Sequence, residues 1–395
     1  MPHVVRRTGL VTGVRIAVLL ALVHAVNDAL TAILGALLPT LQIRFAAGTT
    51  MLALLVATLN ISTSVTQPAL GALADRIGLR QVAAAGVALA AVSFSLVGVA
   101  PTVPVLLTLL VLGGVGSAAL HPVSTSIVGG PSATNPGLAI GMFTAGGMVG
   151  FAAGPVLILW LVSAFGTTVT PWLMLPGLAF AAAILVLLPD WEPHRTGHRL
   201  GLIGRRTLTG SIGWLTAASS LVSLAFITVT AAVPLWLVTA HGLDTDAPLL
   251  GWTLAVFSLA AGLGAVAGGA LAPRLGYART ATTSILTATL PLGIMLVASP
   301  GPITLAAAAV AGALLYASQP LLIVAAQDAV PQAPAAAAGV VIGVATAVAG
   351  LLYVGSGVAQ ATFGLAPAMA VNFALLLPAA YLAGRALRAV RQHDR

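Results

Sequence analysis

The side chains best suited to chemistry form one polar stripe in the apolar segment LVHAVNDALTAIL. Four polar residues at i, i+3, i+4 and i+7 share one face of an α-helix. They are His24, Asn27, Asp28 and Thr31. The acid is predicted to load and release a proton, the imidazole to hydrogen-bond it or relay the proton, and the two neutral groups to contact a substrate. The alternative is that the stripe only joins its helix to a neighbour through buried hydrogen bonds.

Asp28 does not prevent its segment from entering a membrane. An ionised carboxylate at bilayer depth costs roughly 2.5–3.5 kcal/mol on insertion scales. Twelve Leu, Ile and Val residues lie between Ile16 and Leu38, and each contributes roughly 0.3–0.6 kcal/mol in favour of insertion. The segment is therefore predicted to span the membrane with Asp28 inside it. An ionisable residue at that depth indicates a functional site.

Other polar residues in apolar segments are weaker candidates. His121 is a second candidate for proton coupling, although a His before Pro122 is about as often a packing residue that satisfies backbone groups. Four amides are predicted either to line a central cavity as substrate ligands or only to bond adjacent helices. They are Asn60, Gln67, Gln319 and Asn372.

The composition places these side chains in lipid. Hydrophobic residues make up 59% of the 395 residues, charged residues 6%, and the mean hydropathy is +1.08. Soluble domains cannot bury that much apolar surface, so the chain is predicted to be an all-α polytopic membrane protein. Spanning helices need about 20 apolar residues, and turn residues and charge clusters delimit twelve predicted spans. They are 14–38, 50–73, 80–99, 103–128, 137–163, 171–189, 211–240, 248–271, 279–298, 302–327, 335–361 and 366–388.

The basic residues, all of them Arg, predict the orientation of these spans. With a cytoplasmic N-terminus, 15 of the 16 fall in the tails or in the connections that follow even-numbered helices. Arg44 is the exception, because it lies in the connection after the first predicted span. Positive charge is retained on the cytoplasmic side of membranes, so both termini are predicted to be cytoplasmic. The Trp residues lie near predicted helix ends, as is typical of an interfacial belt. They are Trp160, Trp172, Trp191, Trp214, Trp236 and Trp252.

Missing residue types exclude several function classes. A chain without Cys has no disulfides, thiolate catalysis or cysteine metal sites. A chain without Lys has neither a Walker A phosphate loop nor a retinal Schiff base. Asp28 has no intramembrane carboxylate partner in the sequence, so a membrane enzyme such as a lipid-linked transferase is not expected. Neither a cofactor nor a metal site is predicted, and the net charge of +8 requires no nucleic acid.

An internal repeat divides the chain. GALADRIG, from Gly71 to Gly78, recurs as GALAPRLG, from Gly269 to Gly276, at an offset of 198 residues. Each copy follows the second helix of a predicted six-helix half, so the halves are predicted to be parallel repeats with the substrate site near the membrane midplane. The predicted domains are an N-terminal bundle, a basic cytoplasmic linker and a C-terminal bundle. Their bounds are 1–189, 190–210 and 211–395.

The repeated loop is predicted to act as a conformational latch. Asp75 could cap the N-terminus of a neighbouring helix or pair with an Arg in one transport state. The alternative is a solvent-exposed turn without a conformational role, but recurrence of the motif favours a latch. The second copy has Pro273 in place of the acid, so the same charge interaction is not expected there. The predicted latch residues are Gly71, Asp75, Arg76, Gly78, Arg80, Gly269, Arg274 and Gly276.

A third pattern lies in the fifth predicted helix. Gly146, Gly150 and Gly154 recur every four residues and are followed by Pro155. Small residues at this spacing let two helices pack backbone to backbone, and the proline adds a kink.

These motifs resemble those of the major facilitator superfamily. The loop GALADRIGLR is similar to its G-x-x-x-D-R-x-G motif, and the glycines with Pro155 are similar to its antiporter motif. Within it, HAVNDAL, NISTSVTQPALGALADRIG, GVGSAALHP and QDAVPQAPAAAAGVVIG look like segments of the fosmidomycin-resistance-type exporters. The chain departs from these patterns at Leu79, where a second basic residue is common, and at Val123, where the exporters often carry an acid.

The sequence with this resemblance predicts a proton-coupled exporter of small organic or antibiotic-like compounds in a bacterial plasma membrane. It would act by alternating access, as a monomer without an obligatory protein partner. The nearest rival is an importer or facilitator of a small metabolite with the same fold.

Overall fold

The structure is a computed structural model that describes residues 2–47, 49–129, 135–188, 210–243 and 247–393. All regular structure in these residues is helical. The α-helices are α1 Pro2–Thr31, α2 Ile33–Phe45, α3 Thr49–Val65, α4 Gln67–Ile77, α5 Leu79–Ser95, α6 Val103–Val128, α7 Pro136–Phe165, α8 Met174–Leu187, α9 Ser211–Ile227, α10 Val233–His241, α11 Pro248–Leu275, α12 Tyr277–Val297, α13 Pro302–Tyr316, α14 Gln319–Ala329, α15 Pro334–Gly339, α16 Ala345–Phe363, α17 Leu365–Ala374 and α18 Leu376–His393. Short π-helical turns at Thr228–Ala232 and Val340–Val344 join α9 to α10 and α15 to α16.

The described residues contain eleven helical stretches that are long and apolar enough to cross a membrane. The predicted all-α membrane fold is confirmed. These stretches are Val14–Leu38, Leu79–Val99, Val103–Val128, Pro136–Phe165, Thr167–Leu187, Ser211–His241, Leu249–Leu275, Tyr277–Val297, Pro302–Ala329, Pro334–Gln360 and Leu365–Val390.

The remaining predicted span, 50–73, consists of two helices, α3 and α4, which meet at Thr66. The break has a local cause, because Pro68 lacks the N–H that would bond the carbonyl four residues earlier. The same chemistry separates α13 from α14, where Pro320 is the second residue of α14. Each of these two predicted spans is therefore built from two shorter helices.

The prediction that both copies of the repeat follow their helices is wrong, because the helices continue to Ile77 and Leu275, beyond the predicted ends at 73 and 271. Both copies end a helix in the same way. α4 ends at Ile77 before Gly78, whose φ is +121°, and α11 ends at Leu275 before Gly276, whose φ is +89°. Positive φ is costly for residues with a Cβ. The repeat therefore encodes one helix ending twice.

Contacts group the chain into two units. Unit 1 comprises Met1–Thr134, Gly146–Gly197 and Pro331–Gly339, and unit 2 comprises Asn135–Ala145, His198–Val330 and Val340–Arg395. The beginning of α7 therefore packs within unit 2, and α15 packs within unit 1. The predicted linker at 190–210 lies outside the described residues except for Gly210, and the predicted domain bounds remain predictions.

Large apolar side chains cover much of the surface, as lipid contact requires. Among the tryptophans, Trp160 and Trp172 are 62% and 68% exposed, whereas Trp236 is 4% exposed and packs edge-on against His241. The prediction of an interfacial belt is wrong for Trp236, because its position near a helix end did not reveal which way its side chain faces. Trp191 lies outside the described residues.

Candidate functional site

The polar stripe of the first spanning helix is buried inside unit 1. His24, Asn27 and Asp28 are 4%, 2% and 3% exposed. Leu20, Val23 and Leu30, on the same helix, are equally buried, so this face of α1 packs against protein. A carboxylate in such surroundings requires partners that hold it by hydrogen bonds or charge.

His24 and His121 meet beside the carboxylate of Asp28. His24 Nε2 lies 3.1 Å from Asp28 Oδ2, and it also lies 3.2 Å from His121 Nε2. The two imidazole rings stand edge to face with their centroids 4.8 Å apart. The structure thus brings the three residues predicted for proton coupling into one cluster, although α6 supplies His121 from 97 positions along the chain.

The backbone of α6 orients His121. Its Nδ1 lies 3.0 Å from the carbonyl oxygen of Ser117. A carbonyl oxygen can only accept a hydrogen bond, so Nδ1 carries the proton, and in the neutral ring Nε2 presents a lone pair. That lone pair faces His24.

Asn27 holds the other side of the carboxylate. Its Nδ2 donates to Asp28 Oδ1 at 3.0 Å and to Ser117 Oγ at 2.9 Å. The Asn27 Oδ1 is buried without a hydrogen-bond partner among the described residues. The predicted substrate residue Asn27 therefore positions Asp28 and retains one acceptor atom.

The sequence did not predict two residues of this site, Ser117 and Gly147. Ser117 stands four residues before His121 on the same helix face, and that spacing was the available signal. Gly147 is the second: a Cβ on Gly147 would lie 2.5 Å from His24 Cε1 and 2.7 Å from Asp28 Oδ2. Glycine at this position lets α7 approach the cluster.

The glycine series of α7 packs against α1. Its spacing predicted close helix packing but did not predict the partner helix. A Cβ on Gly146, Gly150 or Gly154 would collide with backbone atoms of Ala21, Ala25 and Ala29 respectively. Backbone-to-backbone packing of this kind needs small residues on both helices. Pro155 lies inside α7, which continues to Phe165. The series fixes the distance between α7 and the cluster on α1.

The remaining predicted substrate residues of unit 1 are not part of the cluster. Thr31 Oγ1 donates to the carbonyl of Asn27 in its own helix at 2.9 Å, and Asn60 is exposed. Gln67 is buried at the α3–α4 break, where its Nε2 donates to the carbonyl of Thr63 at 2.8 Å. Their substrate roles remain predictions.

A second polar network lies within unit 2. Asn372 Nδ2 donates to Thr228 Oγ1 at 3.0 Å and to Ser356 Oγ at 2.7 Å. Thr228 begins a π-helical turn, a feature often found at functional sites. Gln319, the repeat equivalent of His121, is the half-buried first residue of α14. The structure thus places Asn372 in a polar network, and binding by either amide remains a prediction.

The predicted latch has a defined geometry within unit 1. The Asp75 carboxylate accepts hydrogen bonds from the backbone N–H groups of Ala335 at 3.3 Å and Ala336 at 3.1 Å. These are donors of the first turn of α15, which lack partners inside their own helix. A carboxylate at this end also opposes the positive pole of the helix dipole. The helix cap, one of the two interactions expected for Asp75, is therefore formed.

Close backbone contact supports this cap. A Cβ on Gly71 would lie 2.5 Å from the Ala335 carbonyl oxygen, and one on Gly339 would lie 2.8 Å from the Gln67 carbonyl oxygen. Arg80 donates to the carbonyl of Leu188 at 3.2 Å, and Arg76 is exposed. Glycine at Gly71 and Gly339 allows α4 and α15 to approach this closely.

The second copy makes the equivalent glycine contacts within unit 2, since Gly269 and Gly137 correspond to Gly71 and Ala335 at the 198-residue offset of the repeat. A Cβ on Gly269 would collide with the carbonyl of Gly137, and one on Gly141 with the carbonyl of Ala265. Pro273 replaces the acid, and Arg274 is exposed near the end of α11. This copy packs against α7 through glycine contacts.

The helical fold with an ionisable cluster buried in its interior defines a class of protein, the polytopic secondary transporters. The family model of the Major Facilitator Superfamily matches residues 20–356. The chain belongs to that superfamily, which consists of transporters and not enzymes.

Comparison with known proteins agrees with this assignment. Over 365 residues the chain is 26% identical to the Uncharacterized MFS-type transporter YfnC of Bacillus subtilis (strain 168), covering 90% of this chain and 88% of that protein. Over 181 residues it is 25% identical to the Fosmidomycin resistance protein of Escherichia coli (strain K12), covering 46% and 44%. The structure of the MFS transporter FucP in the outward conformation superposes with a TM-score of 0.76 at 14% identity, covering 95% and 99%. The likeness to FucP shows the fold alone.

Proposed function

We propose that this transporter is a proton-coupled exporter of small organic or antibiotic-like compounds that works by alternating access. The observation that carries the proposal is the buried cluster in which Asp28 faces His24, with His121 beside them. Ionisable groups buried within membrane segments are characteristic of proton relays in transporters.

The cluster offers a proton several adjacent sites. Asp28 Oδ2, His24 Nε2 and His121 Nε2 are linked through contacts of 3.1 and 3.2 Å, so a proton can pass between helices α1 and α6 without crossing apolar space. The driving force is sufficient. One proton crossing 100 mV supplies about 2.3 kcal/mol, which supports roughly fortyfold accumulation at about 1.4 kcal/mol per tenfold.

Asp75 would act as the latch in this cycle. Its carboxylate caps α15 with two hydrogen bonds, and such a cap stabilises whichever transport state contains it. Release of α15 would then accompany the change to the other state.

The export direction is supported by two observations. A relative carries the name Fosmidomycin resistance protein, and the glycine series ending in Pro155 resembles the antiporter motif of the superfamily. An importer or facilitator of a metabolite is the alternative. Arginine placement favours a bacterial plasma membrane protein with both termini in the cytoplasm. The chain is proposed to function as a monomer without an obligatory protein partner.

The test is fosmidomycin accumulation in cells that express the wild type, Asp28→Asn or Asp328→Asn at matched membrane levels. Asp328 is an exposed acid near the end of α14, so its variant is the matched control. We expect low accumulation with the wild type and the control, and high accumulation with Asp28→Asn or after a protonophore. Proton-driven efflux by Asp28→Asn would refute the coupling role. Equal accumulation in all cells, including cells without the transporter, would remove fosmidomycin as a substrate.

A further inference from the structure

We propose that His24, Asp28 and His121 form a binding site for a divalent transition-metal ion, for which Zn²⁺ is the best match. The inference goes beyond the proposed function, because it concerns a cation other than the proton. One donor atom from each residue lies within 4.8 Å of the others. Two imidazole nitrogens and one carboxylate oxygen form a donor set that suits zinc and its first-row neighbours.

The donor separations fit a shared ion. Zinc binds His nitrogen at about 2.0–2.1 Å and carboxylate oxygen at about 2.0–2.2 Å, so neighbouring donors of one ion lie about 2.8–3.5 Å apart. His24 Nε2 is 3.1 Å from Asp28 Oδ2 and 3.2 Å from His121 Nε2. Two of the three donor pairs therefore already have the separation that an ion between them requires.

Hydrogen bonds on the far side of the donors aim them inward. The Ser117 carbonyl binds Nδ1–H of His121, which leaves Nε2 with its lone pair towards His24. Asn27 binds Oδ1 of Asp28, which leaves Oδ2 towards the same point. Such outer contacts orient metal ligands and fix the imidazole tautomer.

The cluster also leaves room in the coordination sphere. Three protein donors occupy three of four tetrahedral positions, and the fourth remains for water or for a donor atom of a substrate. Asn27 Oδ1, buried and without a partner among the described residues, is an acceptor in the same group of side chains. Mg²⁺, which requires octahedral oxygen coordination, fits this donor set poorly.

The experiment is titration of purified protein with Co²⁺, which reports on a zinc site through its visible absorption. The protein carries a purification tag without histidines, and the buffers are freed of metal. We expect one Co²⁺ per chain with absorption bands of low-symmetry coordination, displaced by Zn²⁺ but not by Mg²⁺. His121→Gln and Asp28→Asn should each weaken binding by at least about tenfold. His241→Gln is the matched control, because His241 is exposed and packs against Trp236.

Absence of Co²⁺ binding by the wild type would overturn the site, and so would unchanged binding by His121→Gln and Asp28→Asn. If those variants do not fold, X-ray absorption of zinc-loaded wild type decides: two imidazole ligands support the site, and any other ligand set overturns it. The two proposals can fail separately. Metal binding without fosmidomycin efflux contradicts only the export proposal, whereas Asp28-dependent efflux without metal binding contradicts only the metal site.

Discussion

Asp28 is stabilised by short-range partners that its own helix and α6 provide. His24 stands one helical turn before it, and Asn27 is its neighbour in sequence. Removing one partner of a buried ion pair typically costs about 3–5 kcal/mol, because the other charge is left uncompensated. When His24 is protonated, His24 and Asp28 therefore stabilise each other.

Gly147 should be as important to the cluster as its ionisable members. Its added Cβ would lie 2.5 Å from His24 Cε1, 2.6 Å from His24 Nε2 and 2.7 Å from Asp28 Oδ2. Overpacking typically costs about 1–3 kcal/mol, so Gly147→Ala should lower Asp28-dependent efflux by about tenfold. The measurement is initial efflux rate at matched expression.

Gly350→Ala provides the control for that substitution. Gly350 also lies inside a helix, but nothing stands within 4 Å of the position that a Cβ would take there. Alanine should leave transport unchanged and stabilise the helix slightly, by about 0.5–1 kcal/mol. Equal effects of the two substitutions would mean that Gly147 acts through helix propensity and not through the cluster.

At the level of helices, the two copies of the repeated loop use different chemistry. Both copies form close glycine contacts, Gly71 with α15 and Gly269 with α7. Only the first copy adds a carboxylate, Asp75, at the N-terminus of α15. A carboxylate cap can be gained or lost with a change of state, because its hydrogen bonds are replaceable by water. Close backbone contacts at glycines depend only on how the two helices fit together.

Asp75→Ala should release the first turn of α15. Each hydrogen bond to a charged group contributes about 1.5–3 kcal/mol, and both bonds would be lost. We expect faster amide hydrogen exchange in the peptide that contains Ala335 and Ala336, together with a slower transport rate. Asp75→Asn, which keeps one acceptor oxygen, should be intermediate.

Pro273→Ala is the matched control for the latch, since Pro273 is the repeat equivalent of Asp75. It should leave exchange in α15 unchanged. Unchanged exchange in Asp75→Ala would show that the cap does not hold α15.

For the molecule as a whole, the distribution of arginine predicts the orientation in the membrane. Ala47 follows Arg44 by three residues in the connection after the first predicted span. The chain contains no cysteine, so no native residue would react with a thiol reagent. Ala47→Cys should therefore react with a membrane-impermeant maleimide added to intact cells. A fluorescent protein fused to the C-terminus should fluoresce, as it does when it folds in the cytoplasm.

The opposite pattern, with Ala47→Cys protected in intact cells and reactive only after lysis, would invert the topology. It would leave the fold intact, because the helices and their contacts do not depend on which side of the membrane each end faces.

The sequence by itself determined the class of the molecule and the content of its helices. Hydropathy predicted membrane-spanning helices, since lipid requires every backbone group to be bonded within its own segment, and the placement of arginine predicted their orientation. The 3.6-residue period predicted that His24, Asn27 and Asp28 share a face. The repeat predicted that two corresponding helices end at matched positions, although the ends at Gly78 and Gly276 lie beyond the predicted 73 and 271.

Contacts between distant segments were decided by the tertiary structure. His121 joins His24 across 97 positions and Asp75 reaches Ala335 across 260, while Gly147 is placed against Asp28. A helical period states which residues share a face, but it does not state which face of another helix packs against it. That choice depends on how side chains of all the helices fit together, and it created both the ionisable cluster and the cap on α15.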